Sequence, residues 1–225
     1  MTPPGSPFLH VPTSGHLRQA LLLGAAVSVW FGLVYGGADW LAHHHSYRVR
    51  LHFDAELRVP FVPAAVVGYM SLYLLFMMAP FVLRTGRELT ALAVGLAVVI
   101  GAAGIGFLLF PADNLFPTPE EMGGWSPLVR FAKWLALDYN FAPSLHVAMG
   151  TLCAAVYARQ APPLCRAALW LWSGMIGLSA LLLHQHYVID IVSGYLLAFV
   201  GLRWVYDRVL RTPRTNPPTD PGPPA

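Results

Sequence analysis

The sequence predicts an all-α membrane protein with six transmembrane helices in one bundle, and three observations support this prediction. Hydrophobic residues make up 56% of the 225 positions, and charged residues only 11%. A soluble domain carries about 25% charged residues, more than twice this share. Six apolar runs follow one another along the chain, and arginines gather in alternate connections between them.

So apolar a composition excludes a disordered chain, a coiled coil and a nucleic-acid-binding protein, and it argues against a soluble enzyme. The net charge of +3 comes from 14 Lys and Arg residues against 11 Asp and Glu residues. We interpret this small excess as the usual enrichment of arginine in membrane-protein loops. It is too small to indicate a patch that binds nucleic acid.

The six predicted helices correspond to apolar runs that charged residues or prolines separate. The first three runs approach or exceed the roughly 20 residues that a helix needs to cross a bilayer. The last three are somewhat short and begin or end with polar residues, which fits a site near the membrane surface. The loop 111–142 is long, and a short helix is expected over 127–136. The runs are 20–37, 62–83, 89–110, 143–157, 167–183 and 186–205.

The two ends of the chain differ from the apolar region between them. Residues 1–15 are predicted to be flexible, and the proline-rich residues 212–225 to be disordered. Residues 16–211 then form the membrane domain. The first apolar run is interpreted as a helix of that domain, because the stretch before it carries a single arginine and no typical cleavage site follows.

The distribution of positive charge predicts the orientation of the bundle. With six spans both termini lie on the same side, and that side carries nine of the 14 Lys and Arg residues. The positive-inside rule therefore places both termini in the cytosol. The outer loops are then 43–61, 111–142 and 184–185.

A polar segment, His184-Gln-His-Tyr-Val-Ile-Asp190, opens the sixth helix. His186 and Asp190 are four residues apart and share one helical face. A lone carboxylate one turn into the membrane is costly, so Asp190 is expected to face a partner, and His186 is the obvious one. An imidazole held through Nδ1 keeps Nε2 free as a nucleophile or base. The structural alternative is a helix-capping histidine above a buried, hydrogen-bonded aspartate.

A second polar segment, Asp138-Tyr-Asn-Phe-Ala-Pro-Ser-Leu-His146, opens the fourth helix. Pro143 suits the first turn of a helix, where an N–H group is not needed. Ser144 and the free N–H groups after it form an anion site, beside which His146 can donate a proton. The structural alternative is plain N-terminal capping by Ser144 with a surface histidine.

The two segments open helices on the same membrane face and together supply the groups for phosphoryl transfer. One histidine attacks phosphorus, and the other protonates the leaving alkoxide. The intermediate of such a reaction is a phosphohistidine. This chemistry requires neither a metal nor another cofactor.

The strings Pro143-Ser144-x-His146 and His186-x-x-x-Asp190 resemble the type-2 phosphatidic acid phosphatase superfamily of six-helix lipid-phosphate phosphatases, which are related to vanadium haloperoxidases. The Pro-Ser-Leu-His form, with Gln-His-Tyr-x-x-Asp-x-x-x-Gly, is similar to the branch of inositol-phosphorylceramide and sphingomyelin synthases. The resemblance implies that His186 is the nucleophile and Asp190 its orienting partner. It also implies that His146 is the acid and that Ser144 helps to hold the phosphate oxygens.

The sequence departs from the family pattern in its positive charges. Leu145 replaces the glycine of Pro-Ser-Gly-His, Ala180 replaces the arginine of the last motif, and no Lys-x6-Arg-Pro string ends the third helix. A phosphoryl group that gains charge needs cationic support. Lys133 and Arg130 are the first candidates, because they lie just upstream of the fourth helix. Further candidates are His184, Arg48 and Arg50, and for each the alternative is a solvated loop charge or a lipid-headgroup anchor.

These residues predict an integral-membrane lipid phosphate phosphatase with its site at the outer face. Its partners would be the bilayer and a lipid phosphate that enters from it. The composition, rich in Arg, Ala, Gly and Pro and with Lys133 as the single lysine, points to a bacterial inner membrane. The alternative is a phosphotransferase that moves a phospho-head-group to a lipid alcohol such as ceramide or diacylglycerol.

Two other functional classes stay open at this stage. A membrane haem protein could use His146 and His186 as axial ligands, but Asp190 and Ser144 would then have no role. A scaffold or small transporter is the other class, and a transporter would favour more polar residues at mid-membrane depth than this sequence has. The histidines at 43–45 are interpreted as an interfacial polar cluster rather than a metal site.

Overall fold

The computed structural model describes residues 7–117 and 122–212, which form helices and loops with no strand among them. The predicted all-α class is therefore confirmed. The principal helices of this part of the chain are α1 (Ser14–His43), α2 (Ala65–Val82), α3 (Gly86–Leu109), α4 (Ser126–Leu135), α5 (Leu145–Ala158), α6 (Pro163–Leu182) and α7 (Val188–Arg211).

Among the described residues, five helices are long and apolar enough to cross a membrane: α1, α2, α3, α6 and α7. Their outward faces carry large exposed apolar side chains, such as Leu22 and Leu33 on α1 and Leu171 and Leu178 on α6. An apolar surface of this kind suits contact with lipid rather than with water. The chain is a helical membrane protein, as its composition predicts.

The remaining predicted span, α5, is short and central. It has 14 residues, which correspond to about 21 Å, against about 30 Å for the hydrocarbon core of a bilayer. It contacts α2, α3, α6 and α7. Every residue of α5 except His146 is buried, so the helix leaves a single side chain available for chemistry.

Helices α1 and α3 pack side by side, and glycine permits their close approach. A Cβ atom at Gly104 would lie 2.3 Å from Cγ1 of Val34. Helix α2 is interrupted at Ser71, whose hydroxyl donates to the carbonyl of Gly68 at 2.6 Å and accepts from the indole N–H of Trp172 at 2.7 Å. The second bond joins α2 to α6, and α1 and α2 both line a space between them.

The segment before α1 lies against the connection between α2 and α3. The backbone N–H of His10 donates to the carbonyl of Phe81 at 2.9 Å, and the ring Nε2 of His16 donates to the carbonyl of Leu83 at 2.8 Å. These bonds tie residues 7–16 to the end of α2. Of the segments predicted to be flexible or disordered, residues 1–6 and 213–225 lie outside the described residues.

The loop between α3 and α5 contains the short helix α4, which confirms the prediction for 127–136 within one residue at each end. Val129 and Ala132 of α4 are buried against Val66 and Tyr69 of α2. Helix α4 therefore covers the first turns of α2, where Tyr69 stacks on His146.

Candidate active site

The two polar motifs lie side by side at the starts of α5 and α7. The backbone N–H of Ser144 donates to the backbone carbonyl of Asp190 at 2.9 Å. A Cβ atom at Gly194 would lie 2.6 Å from the carbonyl oxygen of Ser144, so only glycine allows the helices to approach this closely. The sequence places both motifs at helix starts, and the structure brings those starts into direct contact.

His186 and Asp190 form the pair that their spacing predicts. The Nδ1 atom of His186 lies 3.6 Å from Oδ2 of Asp190, somewhat longer than a hydrogen bond. Asp190 is fully buried, and its Oδ2 also accepts the backbone N–H of Tyr187 at 2.8 Å. Its Oδ1 has no hydrogen-bond partner among the described residues. The carboxylate is therefore held through Oδ2 and keeps acceptor capacity for the imidazole.

His146 projects from α5 towards α2. Its Nε2 lies 2.7 Å from the carbonyl oxygen of Tyr69, and its ring stacks on the Tyr69 ring at 3.7 Å with an interplanar angle of 6°. A carbonyl only accepts hydrogen bonds, so Nε2 must carry the proton in this arrangement. The atom left for chemistry on a substrate is therefore Nδ1.

Ser144 is fully buried, and its hydroxyl accepts the backbone N–H of Val147 at 3.3 Å. This is the bond of a helix N-cap. Its own N–H donates to Asp190, as described above. In this structure the Ser144 hydroxyl therefore caps α5, as the structural alternative expected, while His146 lines the cavity rather than the surface. A role of Ser144 in holding phosphate oxygens stays a prediction.

Both histidines line one cavity between α1, α2 and α3. The cavity has a volume of about 690 Å³, within the usual range for small-molecule sites. Asn140 and Tyr35 lie with His146 and His186 at its polar end, and most of the remaining wall is Leu, Ala, Phe, Met and Ile. Among the described residues, no Lys, Arg, Asp or Glu side chain lines it.

The basic residues predicted to hold phosphate lie away from this cavity. Lys133 is half-buried, with its Nζ 5.7 Å from the centroid of the Phe61 ring, and burial lowers the pKa of its ammonium group. Arg130 is exposed on α4. Arg48 donates to Asp113 at 3.1 Å, and Arg50 pairs with an aspartate of its own loop.

His184 has a structural position rather than one at the cavity. Its side chain donates from Nε2 to the carbonyl of Val59 at 2.9 Å and stacks on Phe116 at 4.4 Å. Its φ of 56° lies in the left-handed region, which a histidine seldom adopts. This backbone turn directs the ring towards the outer segment 44–64, so His184 links that segment to the start of α7.

Glu56 is a site residue that the sequence prediction missed. It is 6% exposed, and its Oε1 accepts the backbone N–H of Val188 at 2.9 Å. Its Oε2 accepts the N–H of Phe53 at 2.9 Å, within its own loop. Glu56 and Asp190 thus accept the N–H groups of two consecutive residues, Val188 and Tyr187, directly after His186. A lone acid in a polar loop carries no sequence signal of this role.

Aromatic side chains cover the outer side of the site. The Tyr187 ring stacks between Phe116 at 4.8 Å and Phe141 at 5.5 Å. The Tyr187 hydroxyl accepts the N–H of Leu115 at 2.8 Å and donates to the carbonyl of Asp113 at 3.1 Å. This cluster is buried and hydrogen-bonded, and most residues that line the cavity lie instead on α1, α2 and α3.

Comparison with known families agrees with the motifs. Residues 112–213 match the family model described as the PAP2 superfamily, and the matched region contains Ser144, His146, His186 and Asp190. The match confirms the superfamily that the two motifs predict, while the closer similarity to the synthase branch stays a prediction. A comparison with curated proteins finds no match for the chain.

Proposed function

Because residues 112–213 form a PAP2 superfamily domain, we propose that the protein is a membrane-embedded phosphatase of lipid phosphates. The observation that carries the proposal is that His146 and His186 line one cavity whose wall is otherwise mostly apolar. A phosphate ester of a lipid suits such a cavity, since its chain is apolar and its reacting group is polar. The superfamily generally comprises phosphatases and phosphotransferases, so the match supports this reaction class.

In the first step, the Nε2 atom of His186 attacks phosphorus. A P–N bond forms and the P–O bond to the lipid alcohol breaks. His146 begins this step as an imidazolium with both nitrogens protonated, and the leaving oxygen takes the proton from its Nδ1. Asp190 accepts the Nδ1–H of His186 and stabilises the positive charge that develops on the imidazole. The 3.6 Å between the two groups would shorten as this charge appears.

In the second step, water attacks the phosphohistidine. His146, now neutral at Nδ1, accepts a proton from that water while the P–N bond breaks. The products are the lipid alcohol, inorganic phosphate and the original enzyme. His146 gives the proton in the first step and takes one back in the second. The two steps involve no cofactor.

The proposal also includes the orientation of the protein in the membrane. Nine of the 14 basic residues lie on the side that carries both termini, which supports cytosolic termini and a site at the outer face. The full proposal counts the short helix α5 as the sixth span. Its flanking loops at 136–143 and 159–162 would then emerge on opposite sides of the bilayer.

A second candidate, transfer of a phospho-head-group, is favoured by the charges of the cavity. A phosphate monoester carries a charge of about −1.5 to −2 at neutral pH, and no Lys or Arg of the described residues lines the cavity. A phosphodiester carries one negative charge and needs less cationic support. In this reaction a lipid alcohol replaces water in the second step, and the residues keep the same roles.

The test is an assay of the protein purified in detergent, incubated with a panel of lipid phosphates in excess EDTA. The wild type should release phosphate and His186→Ala should not. His44→Ala is the matched control, because His44 is exposed and its side chain bonds to the carbonyl of Trp40 on α1. Release that survives in His186→Ala would overturn the proposed nucleophile.

Assays with different substrates distinguish the two candidate reactions. Absence of phosphate release from every monoester would exclude the phosphatase. Incubation with a labelled phosphodiester lipid and a lipid alcohol would then test the transferase, with label moving to the alcohol only when His186 is present.

A further inference from the structure

The cavity that contains the two histidines extends along much of the length of α1. Its lining on that helix runs from Tyr35, next to the histidines, to Leu17 near the start of the helix. At the rise of an α-helix this distance is about 27 Å. The cavity is therefore far longer than a phosphate group, and nearly all of the added length is apolar.

Hydrogen bonds join α1 to the neighbouring helices near the Leu17 end of the cavity. The side-chain Nε2 of His16 donates to the carbonyl of Leu83 at 2.8 Å, and Gln19 donates to the carbonyl of Gly86 at 2.9 Å. Both bonds join the start of α1 to the connection between α2 and α3. They lie at the depth where the lining of the cavity on α1 ends, which makes Leu17 the far limit of its length along this helix.

We propose that this cavity holds one long apolar chain of the substrate and that Gly24 determines how long a chain it accepts. This proposal rests on the proposed function, because the reacting phosphate is placed at His146 and His186. An extended hydrocarbon chain advances about 1.3 Å per carbon for C–C bonds of about 1.5 Å at near-tetrahedral angles. A depth of about 27 Å then accepts about 20 carbons.

Gly24 lies in the wall at a position where a side chain would shorten the cavity. It is one of the lining residues, and a Cβ atom there would meet no other atom within 4 Å. The distance along α1 from Tyr35 to Gly24 is about 16 Å. A leucine at this position would leave room for about 12 or 13 carbons.

Gly32 supplies a matched control on the same helix. A Cβ atom at Gly32 also meets nothing within 4 Å, and Gly32 does not line the cavity. Gly24→Leu and Gly32→Leu therefore add the same side chain to α1, in open space in both cases. They differ in whether that side chain enters the cavity.

The experiment measures binding of decyl phosphate and octadecyl phosphate to the full-length protein in detergent, by native mass spectrometry. The wild type and Gly32→Leu should bind octadecyl phosphate at least tenfold more tightly than decyl phosphate. In Gly24→Leu this preference should fall to less than threefold, with the affinity for decyl phosphate unchanged. Turnover of the same two compounds should follow the same order.

Equal affinity of the wild type for both chain lengths would overturn the proposal, as would an unchanged preference in Gly24→Leu. An equal loss of preference in Gly32→Leu would do so too, because the effect would then not come from the cavity. The binding readout does not depend on catalysis. Chain-length-selective binding without any turnover would therefore contradict the proposed phosphatase activity. It would still support the proposed role of Gly24 in determining the chain length.

Discussion

The backbone N–H of Ser144 donates a hydrogen bond of 2.9 Å to the backbone carbonyl of Asp190. This carbonyl also accepts the hydroxyl of Ser193 at 3.0 Å. The first bond joins the start of α5, which carries His146, to the first turn of α7, which follows His186. The relative position of the two histidines therefore depends on backbone contacts as well as on their own side chains.

Gly194→Ala should separate the two helix starts. The added Cβ atom would lie 2.6 Å from the carbonyl oxygen of Ser144 and 3.2 Å from Cβ of Val147, and overpacking of this kind costs about 1–3 kcal/mol. We expect a lower unfolding temperature in detergent and a loss of activity. Gly174→Ala is the control, because its Cβ atom would meet nothing within 4 Å. Equal behaviour of the two variants would show that α5 and α7 tolerate a wider separation.

Asp190→Asn should lower kcat by about 10²–10⁴-fold with little change in the unfolding temperature. The amide oxygen can still accept the N–H of Tyr187, but a neutral amide no longer stabilises a charged His186. The control is Asp54→Asn, which changes an exposed aspartate of the outer segment. Full activity of Asp190→Asn would mean that His186 works without an orienting carboxylate.

His146→Phe tests the role of His146 as an acid. The phenyl ring keeps the stack on Tyr69 and removes both nitrogen atoms. Hydrolysis of an alkyl phosphate should fall by about 10²–10⁴-fold, because the alkoxide needs a proton to leave. Hydrolysis of p-nitrophenyl phosphate should fall by less than about tenfold, because p-nitrophenolate leaves unprotonated. Equal losses for the two substrates would assign His146 to phosphate binding instead.

Glu56→Gln should reduce kcat more than it changes KM. Glutamine keeps one oxygen acceptor but brings an amide N–H group towards the N–H of Phe53 or Val188, and an unpaired buried donor costs about 1–3 kcal/mol. The first turn of α7 would then hold His186 less firmly. Kinetics and thermal unfolding of this variant should be compared with those of Asp54→Asn. A change confined to the unfolding temperature would assign Glu56 to stability alone.

The local parts of the fold and of the site could be predicted from residue patterns. The apolar runs form α1 to α3 and α5 to α7, because an apolar helix satisfies its own backbone hydrogen bonds in lipid. The short helix α4 was likewise predicted from the residues of the loop, over 127–136. His186 and Asp190 are neighbours because helical geometry brings residues four apart onto one face. The superfamily follows from these short-range strings as well, and the match over residues 112–213 confirms it.

The contacts between distant parts of the chain required the tertiary structure. Which helix starts touch depends on a glycine, Gly194, that permits an approach no other residue allows. The sequence suggested Lys133 and His184 as phosphate ligands, yet neither lines the cavity, since one lies over an aromatic ring and the other bonds to a distant loop carbonyl. Glu56 reaches the site from a segment more than a hundred residues upstream in the chain.

The cavity itself illustrates the same division. Composition and periodicity determine that α1, α2 and α3 are apolar helices. Whether they close on one another or leave a long space depends on packing. Helix α1 packs closely on α3 at Gly104, while Ser71 of α2 is bonded to Trp172 of α6. Side-chain patterns report the environment of each helix separately, whereas a cavity is a property of the distances between helices. For that reason the residues of the two motifs could be predicted from the sequence, and the shape of the cavity only from the assembled bundle.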